Sequence, residues 1–250
     1  VQLSGVIITY NEEKHIKACI ESMLPVVDEI IVIDSFSTDN TKEICLDLGV
    51  TFIEQEFLGF RDQKNIASEK ASHDIILSLD ADERVSQEMK ESILAVKTNW
   101  KHNGYSFNRL NNYCGTWLKR SWYPDNKIRL WDKTRGTWGR GNIHEGVELT
   151  DNDSIRLDGN IVHYAYKTIG EHKIQIDKFA KLAAKEKYES NVKPPLVFII
   201  LLKPLLNFLK IYVFKFGFLD GYYGFQYAKL SSILTYKKYL LLKQLYKKES

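Results

Sequence analysis

The run Ile75-Ile76-Leu77-Ser78-Leu79 is apolar on both alternations and stops abruptly at Asp80-Ala81-Asp82-Glu83. A short segment with no polar face reads as a strand covered on both sides, the situation of a strand inside a parallel sheet. Three more such runs precede it: Leu3 to Thr9, Glu29 to Ile33 with Asp34 at its end, and Val50 to Ile53. Helical spacing separates them. Ile16, Cys19, Ile20, Met23 and Leu24 recur with helical period after Asn11, a good N-cap residue. Ile44 and Leu48 support a short helix stopped by Gly49, and Asp62 to Ala71 forms the next. Strand and helix in alternation predict an α/β fold whose mixed sheet is mainly parallel and flanked by helices.

Beyond Asp82 the pattern changes. A helix from Ser86 to about Thr98 leads into aromatic, strand-like segments at Tyr105 to Leu110, Lys127 to Trp131 and Ile155 to Tyr164. Gly-rich and Trp-rich connections, among them Gly136-Thr137-Trp138-Gly139-Arg140-Gly141, read as loops around a site. A charged helix follows from Thr168 to Tyr188, and Pro194-Pro195 marks a boundary. The expected division is a body over residues 1–190 and a helical tail over 191–250.

Charge supports that division. The net formal charge is only +3, yet the stretch from Lys185 to Ser250 holds twelve Lys against four acids. An acidic body with a basic tail suggests a polyanionic surface as the tail's partner. Cys19, Cys45 and Cys114 are widely spaced and odd in number, which argues against a disulfide framework or a zinc site. Cys19 and Cys45 sit at apolar helix positions and read as core thiols. With no disulfide framework a reducing cytosol is expected, and the first residues read as a strand rather than a basic region and apolar signal segment.

In open α/β sheets, ligands bind beyond the carboxyl ends of the strands. Three such ends carry polar groups: Thr9-Tyr10-Asn11-Glu12, Asp34-Ser35 and Asp80-Ala81-Asp82. Together they suit a nucleotide, with Asp34 and Asp80 accepting hydrogen bonds from base or ribose. Asp82 suits a divalent cation that bridges phosphate oxygens, because Mg²⁺ takes only one or two protein carboxylates. On this reading, that cation is what makes three clustered acids tolerable.

Those same residues carry a resemblance. Leu3-Ser4-Gly5-Val6-Ile7-Ile8-Thr9-Tyr10-Asn11-Glu12-Glu13 resembles the first strand of glycosyltransferase family 2, which has a GT-A (Rossmann-like) fold. Asp34-Ser35 with Ser37-Thr38-Asp39-Asn40-Thr41 is similar to its second-strand signature, and Asp80-Ala81-Asp82 to its DXD motif. The likeness covers residues 1 to about 165. Within the family the chain looks most like bacterial lipopolysaccharide-core glycosyltransferases, through Gly59-Phe60, Gln63-Lys64-Asn65, Asn142-Ile143-His144-Glu145, His163-Tyr164 and Gly217-Phe218-Leu219-Asp220-Gly221.

The resemblance implies inverting, Mg²⁺- or Mn²⁺-dependent sugar transfer from a nucleotide-sugar donor, expected to be UDP-linked, to a lipid-linked glycan. It implies Glu145 as the base that deprotonates the acceptor, although His144-Glu145 stands where the family more often has Glu-Asp. His163 is compatible with a metal ligand, a phosphate contact or a core histidine. Lys64 and Asn65 open a helix at a position resembling a nucleotide contact, and Lys64 is equally compatible with a solvated cation. Arg129 suits either the diphosphate or a nearby acid. Trp117, Trp122, Tyr123 and Trp138 suit sugar stacking or core packing.

Leu196 to Leu202 and Leu205 to Leu219 are apolar runs separated by Lys203-Pro204. Each is shorter than the roughly 18–20 uninterrupted apolar residues that span a bilayer. Aromatic residues interleaved with lysines predict helices lying in an anionic membrane interface, peripheral on the cytoplasmic face of the inner membrane. Packing of the tail on the body is the alternative. A sugar-nucleotide pyrophosphorylase is disfavoured by the acidic Tyr10-Asn11-Glu12-Glu13 turn, where a Gly-rich basic phosphate loop is needed. A non-catalytic membrane-binding module leaves the carboxylate cluster without a purpose. Nucleic-acid binding is disfavoured because the basic segment is too apolar to track phosphates.

Overall fold

The computed structural model describes residues 1–139 and 146–248. The chain begins β1 (Leu3–Thr9), α1 (Ile16–Met23), β2 (Glu29–Asp34), α2 (Thr41–Asp47), β3 (Thr51–Glu54), α3 (Phe60–Lys70) and β4 (Ile75–Asp80). It continues with β5 (Glu83–Val85), α4 (Gln87–Thr98), β6 (Gly104–Tyr113), β7 (Thr116–Leu118), β8 (Asn126–Asp132), β9 (Gly136–Gly139), β10 (Gly146–Leu149) and β11 (Ser154–Tyr166). Helices α5 (Ile169–Glu189), α6 (Val197–Leu209) and α7 (Gly221–Lys248) complete it. This is the expected α/β fold with a helical C-terminal segment.

The main sheet runs β3-β2-β1-β4-β8-β6-β11-β5, with β7 paired to β6. Its first four strands are parallel. The pairings of β4 with β8, β8 with β6, β5 with β11 and β6 with β7 are antiparallel. The parallel half follows from the apolar runs that fill it: Leu3, Val6, Ile7, Ile31, Val32, Ile33, Ile76 and Leu77 are buried on both sheet faces. Helix α1 closes one face with Ile16, Cys19, Ile20 and Met23, the i, i+3, i+4, i+7 stripe of an amphipathic helix. Helix α2 ends before Gly49, whose φ of 69° is the left-handed conformation that glycine adopts without steric cost.

Asn11 is not a helix cap. It lies four residues before the N-cap, His15, at φ 55°, and its side-chain oxygen accepts from the Thr38 backbone N–H at 2.8 Å. A loop-to-loop bond satisfied the residue better than the helix start did.

Two compact units divide the chain. One comprises Val1–Arg109 with Asp125–His163, the other Leu110–Pro124 with Tyr164–Ser250. The expected division at residue 190 follows the sequence, whereas these units are assembled from separated stretches. In the first unit, seventeen Lys and Arg stand against twenty-six acids; in the second, eighteen stand against six.

The second unit is built on helices and aromatic rings. Thr168 and Glu171 form a reciprocal capping box at the start of α5. His172, Ile176, Ala180, Ala183 and Ala184 make its buried stripe, and α5 and α6 both pack on α7. His172 is buried, with Nδ1 2.8 Å from the Tyr113 hydroxyl, and its ring stacks on Tyr166 at 4.4 Å. Trp122 stacks on Tyr227 at 4.6 Å, so it takes the packing role among those weighed for it.

The two apolar tail runs do not remain separate. Helix α6 carries Pro204 inside it and continues into a π-helical turn at Lys210–Phe214. Val197–Phe214 is consequently one 18-residue helical stretch of mean hydropathy 2.0, only 11% buried, and long and apolar enough to cross a membrane by length and composition. The sequence expectation failed here because it treated Lys203-Pro204 as a break, and the helix bridges it.

Candidate active site

Register places three of the predicted strand ends side by side. Thr9 is opposite Asp34 across β1 and β2, and Ile8 is opposite Asp80 across β1 and β4. The sheet therefore brings Thr9, Asp34 and Asp80 to one edge, although twenty-five or more residues separate them along the chain.

Beside β1 the groups are held mostly by their own turn. Asp34 is buried, and its carboxylate accepts from the backbone N–H of Ser37 at 2.7 Å and from the Ser37 hydroxyl. The Asn11 N–H donates to Ser37 Oγ at 2.8 Å and the Glu12 N–H to Thr41 Oγ1 at 2.9 Å. Asn11 and Glu12 thus fix the 35–41 turn, while Tyr10 stands exposed. Two buried polar atoms here have no partner among the described residues: Thr9 Oγ1 and Gln63 Oε1. Gln63 meanwhile donates through Nε2 to Ser35 Oγ at 3.2 Å and to the Gln55 carbonyl at 3.3 Å. Buried groups of this kind are ordinarily satisfied, so the pair is a natural contact for a polar ligand.

The acid cluster at the end of β4 is balanced by the chain itself. Asp80 Oδ1 is 2.8 Å from Lys64 Nζ, and Asp80 Oδ2 is 3.0 Å from Arg129 Nη2. Burial alone would raise the Asp80 carboxyl, but Lys64 and Arg129 hold it well below the usual carboxylate range. Glu83 is fully buried in β5 and takes a fork from Arg129, Nε to Oε2 at 3.2 Å and Nη2 to Oε1 at 3.0 Å. Arg109 Nη1 donates to Glu83 Oε1 at 3.1 Å, and its Nη2 lies 2.9 Å from Asp125 Oδ2. Burial would lower the Arg109 guanidinium, but Glu83 and Asp125 raise it. Glu83 also accepts the Asp80 backbone N–H at 3.0 Å, which ties β5 to the end of β4.

The expectation that a bound cation makes the cluster tolerable needs correcting for two of its three acids. Lys64, Arg109 and Arg129 already neutralise Asp80 and Glu83. Lys64 is only 2% exposed and so is not a solvated cation. Arg129, also buried, pairs with nearby acids.

Asp82 differs. Ala81 beside it is buried, whereas the Asp82 carboxylate is 29% exposed. Its charged neighbour is His163, with Nε2 3.3 Å from Oδ2, and no Lys or Arg pairs with it among the described residues. Burial would raise the Asp82 carboxyl, but His163 brings it below its ordinary value against the opposing charge of Asp80. No group of three His, Cys, Asp or Glu donors occurs among the described residues. A hard carboxylate with an adjacent imidazole still fits a cation that draws its other ligands from substrate phosphate and water.

Asn65 lies on α3 and bonds to β9. Its side-chain oxygen accepts from Thr137 Oγ1 at 2.8 Å and from the Trp138 N–H at 3.0 Å, while its Nδ2 donates to the Trp138 carbonyl at 3.0 Å. The residue therefore clamps β9 to α3. That clamp sets buried Trp138 with its ring 4.5 Å from Lys64 Nζ and 5.3 Å from the Arg129 guanidinium carbon. Glu145 lies outside the described residues. Cys19 is a core thiol, as expected: burial, then the charges of Glu83, Asp82 and Asp80, push it well above the ordinary thiol value.

Sequence reasoning missed Arg109 and Asp125. The available signal was an arginine in the strand run Gly104–Tyr113, where an unpaired cation is untenable.

The profile of "Glycosyl transferase family 2" matches residues 4–150. An uncharacterized glycosyltransferase of Rickettsia typhi is 31% identical over 236 residues, covering 90% of this chain and 80% of the relative. The lipopolysaccharide core biosynthesis glycosyltransferase LpsC of Rhizobium meliloti is 27% identical over 260 residues, covering 96% and 93%. Among solved structures, S. aureus TarS 1–349 in complex with UDP-GlcNAc aligns over 100% of this chain and 93% of its own at 12% identity, with a TM-score of 0.49.

Proposed function

The chain belongs to glycosyltransferase family 2, and from that premise we propose that it moves a sugar from a nucleotide-sugar donor to a lipid-linked glycan, with inversion. The acceptor class is taken from the lipopolysaccharide-core relative. The observation that carries the site assignment is the isolation of Asp82. Every other acid of the cluster is paired with Lys or Arg, and Asp82 is left facing His163.

Thr9 Oγ1 and Gln63 Oε1 read the nucleoside, beside an Asp80 kept ionised by Lys64 and Arg129. Asp82 and His163 would hold Mg²⁺ or Mn²⁺, with Asp80-Ala81-Asp82 as the DXD motif. The bound ion, when present, neutralises charge that builds on the leaving diphosphate. Glu145 takes the proton from the acceptor hydroxyl. The acceptor oxygen then bonds to the anomeric carbon from the side opposite the diphosphate, whose oxygen leaves with the electron pair of the broken bond. Asn65 and Trp138 act one step removed, by fixing Lys64 and the strand that precedes residues 140–145. Residues 191–250 keep the enzyme on the cytoplasmic membrane face, where such an acceptor is presented.

Donor turnover measured against Mg²⁺ and Mn²⁺ concentration tests the assignment. Asp82→Asn should lower turnover by about 100-fold or more, the scale for losing one group that stabilises transition-state charge. Full metal-dependent transfer by that variant would overturn the role of Asp82. Glu145→Gln should bind donor normally and lose turnover, and unchanged turnover would remove Glu145 as the base.

A further inference from the structure

Four observations in the second unit converge on one surface. Between α6 and α7 the chain makes a tight turn from Lys210 to Tyr222, containing the π-helical turn and a 3₁₀ turn at Gly217–Asp220. Phe214, Phe216, Phe218, Leu219 and Tyr222 are 45–76% exposed along it. An aqueous surface rarely concentrates large apolar side chains in this way without using them.

This turn is a built element. Phe216 has φ 56°, a left-handed conformation that a bulky residue adopts only under strain, and such strain persists only where the surroundings enforce it. Gly217 and Gly224 supply the enforcement. A Cβ on Gly224 would meet the Gly217 carbonyl oxygen at 2.1 Å, and one on Gly217 would lie 2.5 Å from the Ile211 oxygen.

The same turn reaches back to a distant stretch of sequence. The Asp220 carboxylate accepts the backbone N–H groups of Lys119 at 3.0 Å, Arg120 at 3.1 Å and Ser121 at 2.7 Å, with the Ser121 hydroxyl at 2.7 Å. It thereby latches the 119–121 loop beside Phe218 and Leu219. The side chains of Lys119 and Arg120 are exposed, as is Lys210, and none of these nor Lys215 has a carboxylate partner among the described residues. Eighteen basic residues against six acids make this unit strongly cationic as a whole.

We propose that Lys119 and Arg120, held by Asp220 next to the aromatic 214–222 turn, form one composite surface that docks on anionic phospholipid. The proposal rests on the membrane reading above and deepens it. The contact is assigned to a turn plus a loop about one hundred residues away, instead of to the tail alone. Exposed apolar rings interleaved with Lys210 and Lys215, and latched to a loop bearing Lys119 and Arg120, match an interface in which rings enter the headgroup layer and Lys or Arg meet lipid phosphates. The turn's own residues, 210–222, hold two lysines and a single acid, Asp220, which is engaged in the latch, so the charge they present is complementary to lipid phosphate.

The test is co-sedimentation of the full chain with phosphatidylcholine vesicles, with and without phosphatidylglycerol, while nucleotide-sugar hydrolysis is assayed on the same samples. The wild-type chain should pellet only with the anionic vesicles. Lys119→Gln with Arg120→Gln should bind them roughly 25-fold more weakly, at about fivefold per cation near a charged membrane surface. Phe218→Ser with Leu219→Ser should abolish pelleting. Both should keep the wild-type circular dichroism, melting temperature and donor hydrolysis. Undiminished binding by the cation variant, or equal pelleting with neutral vesicles, would overturn the composite surface. So would a self-association lost in the Phe218/Leu219 variant while vesicle binding survives. Loss of vesicle binding with hydrolysis intact leaves the glycosyltransferase reading untouched, and absent hydrolysis with normal binding does the reverse.

Discussion

The two compact units handle charge in opposite ways. In the first, acids and bases are buried together: Asp80, Glu83 and Asp125 against Lys64, Arg109 and Arg129, each group with a named partner. In the second, most basic side chains are solvated, and the buried polar groups include Asn111, Ser121, Ser232 and an imidazole on a phenol. A buried ion network is unforgiving, because removing one member strands the rest in a poor solvent. A solvated cationic surface tolerates loss of any one member. The difference teaches where mutations should hurt, and how.

The sharpest way to break the comparison is Glu83→Gln. It leaves Arg109 and Arg129 short of a buried counter-charge, and an expected loss of roughly 3–5 kcal/mol should appear as a lowered denaturant midpoint. A change under about 1 kcal/mol would mean that water reaches this network.

Acid should separate the units next. His172 has a folded pKa lowered to about 4 by burial, below its ordinary 6.5. The unfolded chain then holds the proton more tightly, so stability is fully present above pH 6.5 and falls as pH drops toward 4. The loss amounts to about 3 kcal/mol from the size of the shift. The first unit behaves otherwise: Asp80, Asp82 and Asp125 are held below the ordinary carboxylate value, so their contribution persists until pH falls below about 4. Equilibrium unfolding between pH 7 and 4 should therefore show a slope that His172→Phe removes. An unchanged slope would assign the acid sensitivity elsewhere.

Asn65→Ala probes the clamp. Losing three hydrogen bonds should cost about 1–3 kcal/mol and, on the positioning role proposed for the clamp, lower turnover more than it weakens donor binding. A pure rise in KM would make Asn65 a donor contact after all. The smallest effect belongs to the surface: breaking the exposed Lys185–Glu189 pair by Lys185→Ala should shift stability by no more than about 0.5 kcal/mol.

Much of the first unit was legible because its strands are short apolar runs bounded by polar ends. Leu3–Thr9, Glu29–Asp34 and Ile75–Asp80 fall within a residue of their expected limits. The strand-end acids were legible as a group, since topology brings carboxyl ends together. Their partners were not. Lys64 lies on α3, sixteen residues before Asp80, and only the folded helix shows that its ammonium is buried against the carboxylate. Arg109 on β6 meets Asp125, the residue just before β8, a pairing that local pattern does not encode. The makeup of the second unit was hidden for the same reason, because the latch from Asp220 to residues 119–121 spans about one hundred residues.

The self-neutralised cluster has a consequence for range. Matched charges a few ångströms apart cancel at a distance, so the donor site projects little field beyond the first hydration layers. The proposed nucleotide-sugar donor would therefore gain no long-range attraction from these paired charges. The cationic second unit, by contrast, acts over a Debye length, about 10 Å at 0.1 M salt. Raising the ionic strength should thus leave KM for the donor nearly unchanged while lifting the enzyme off charged vesicles, making salt a means of separating the chemistry from the place where it happens.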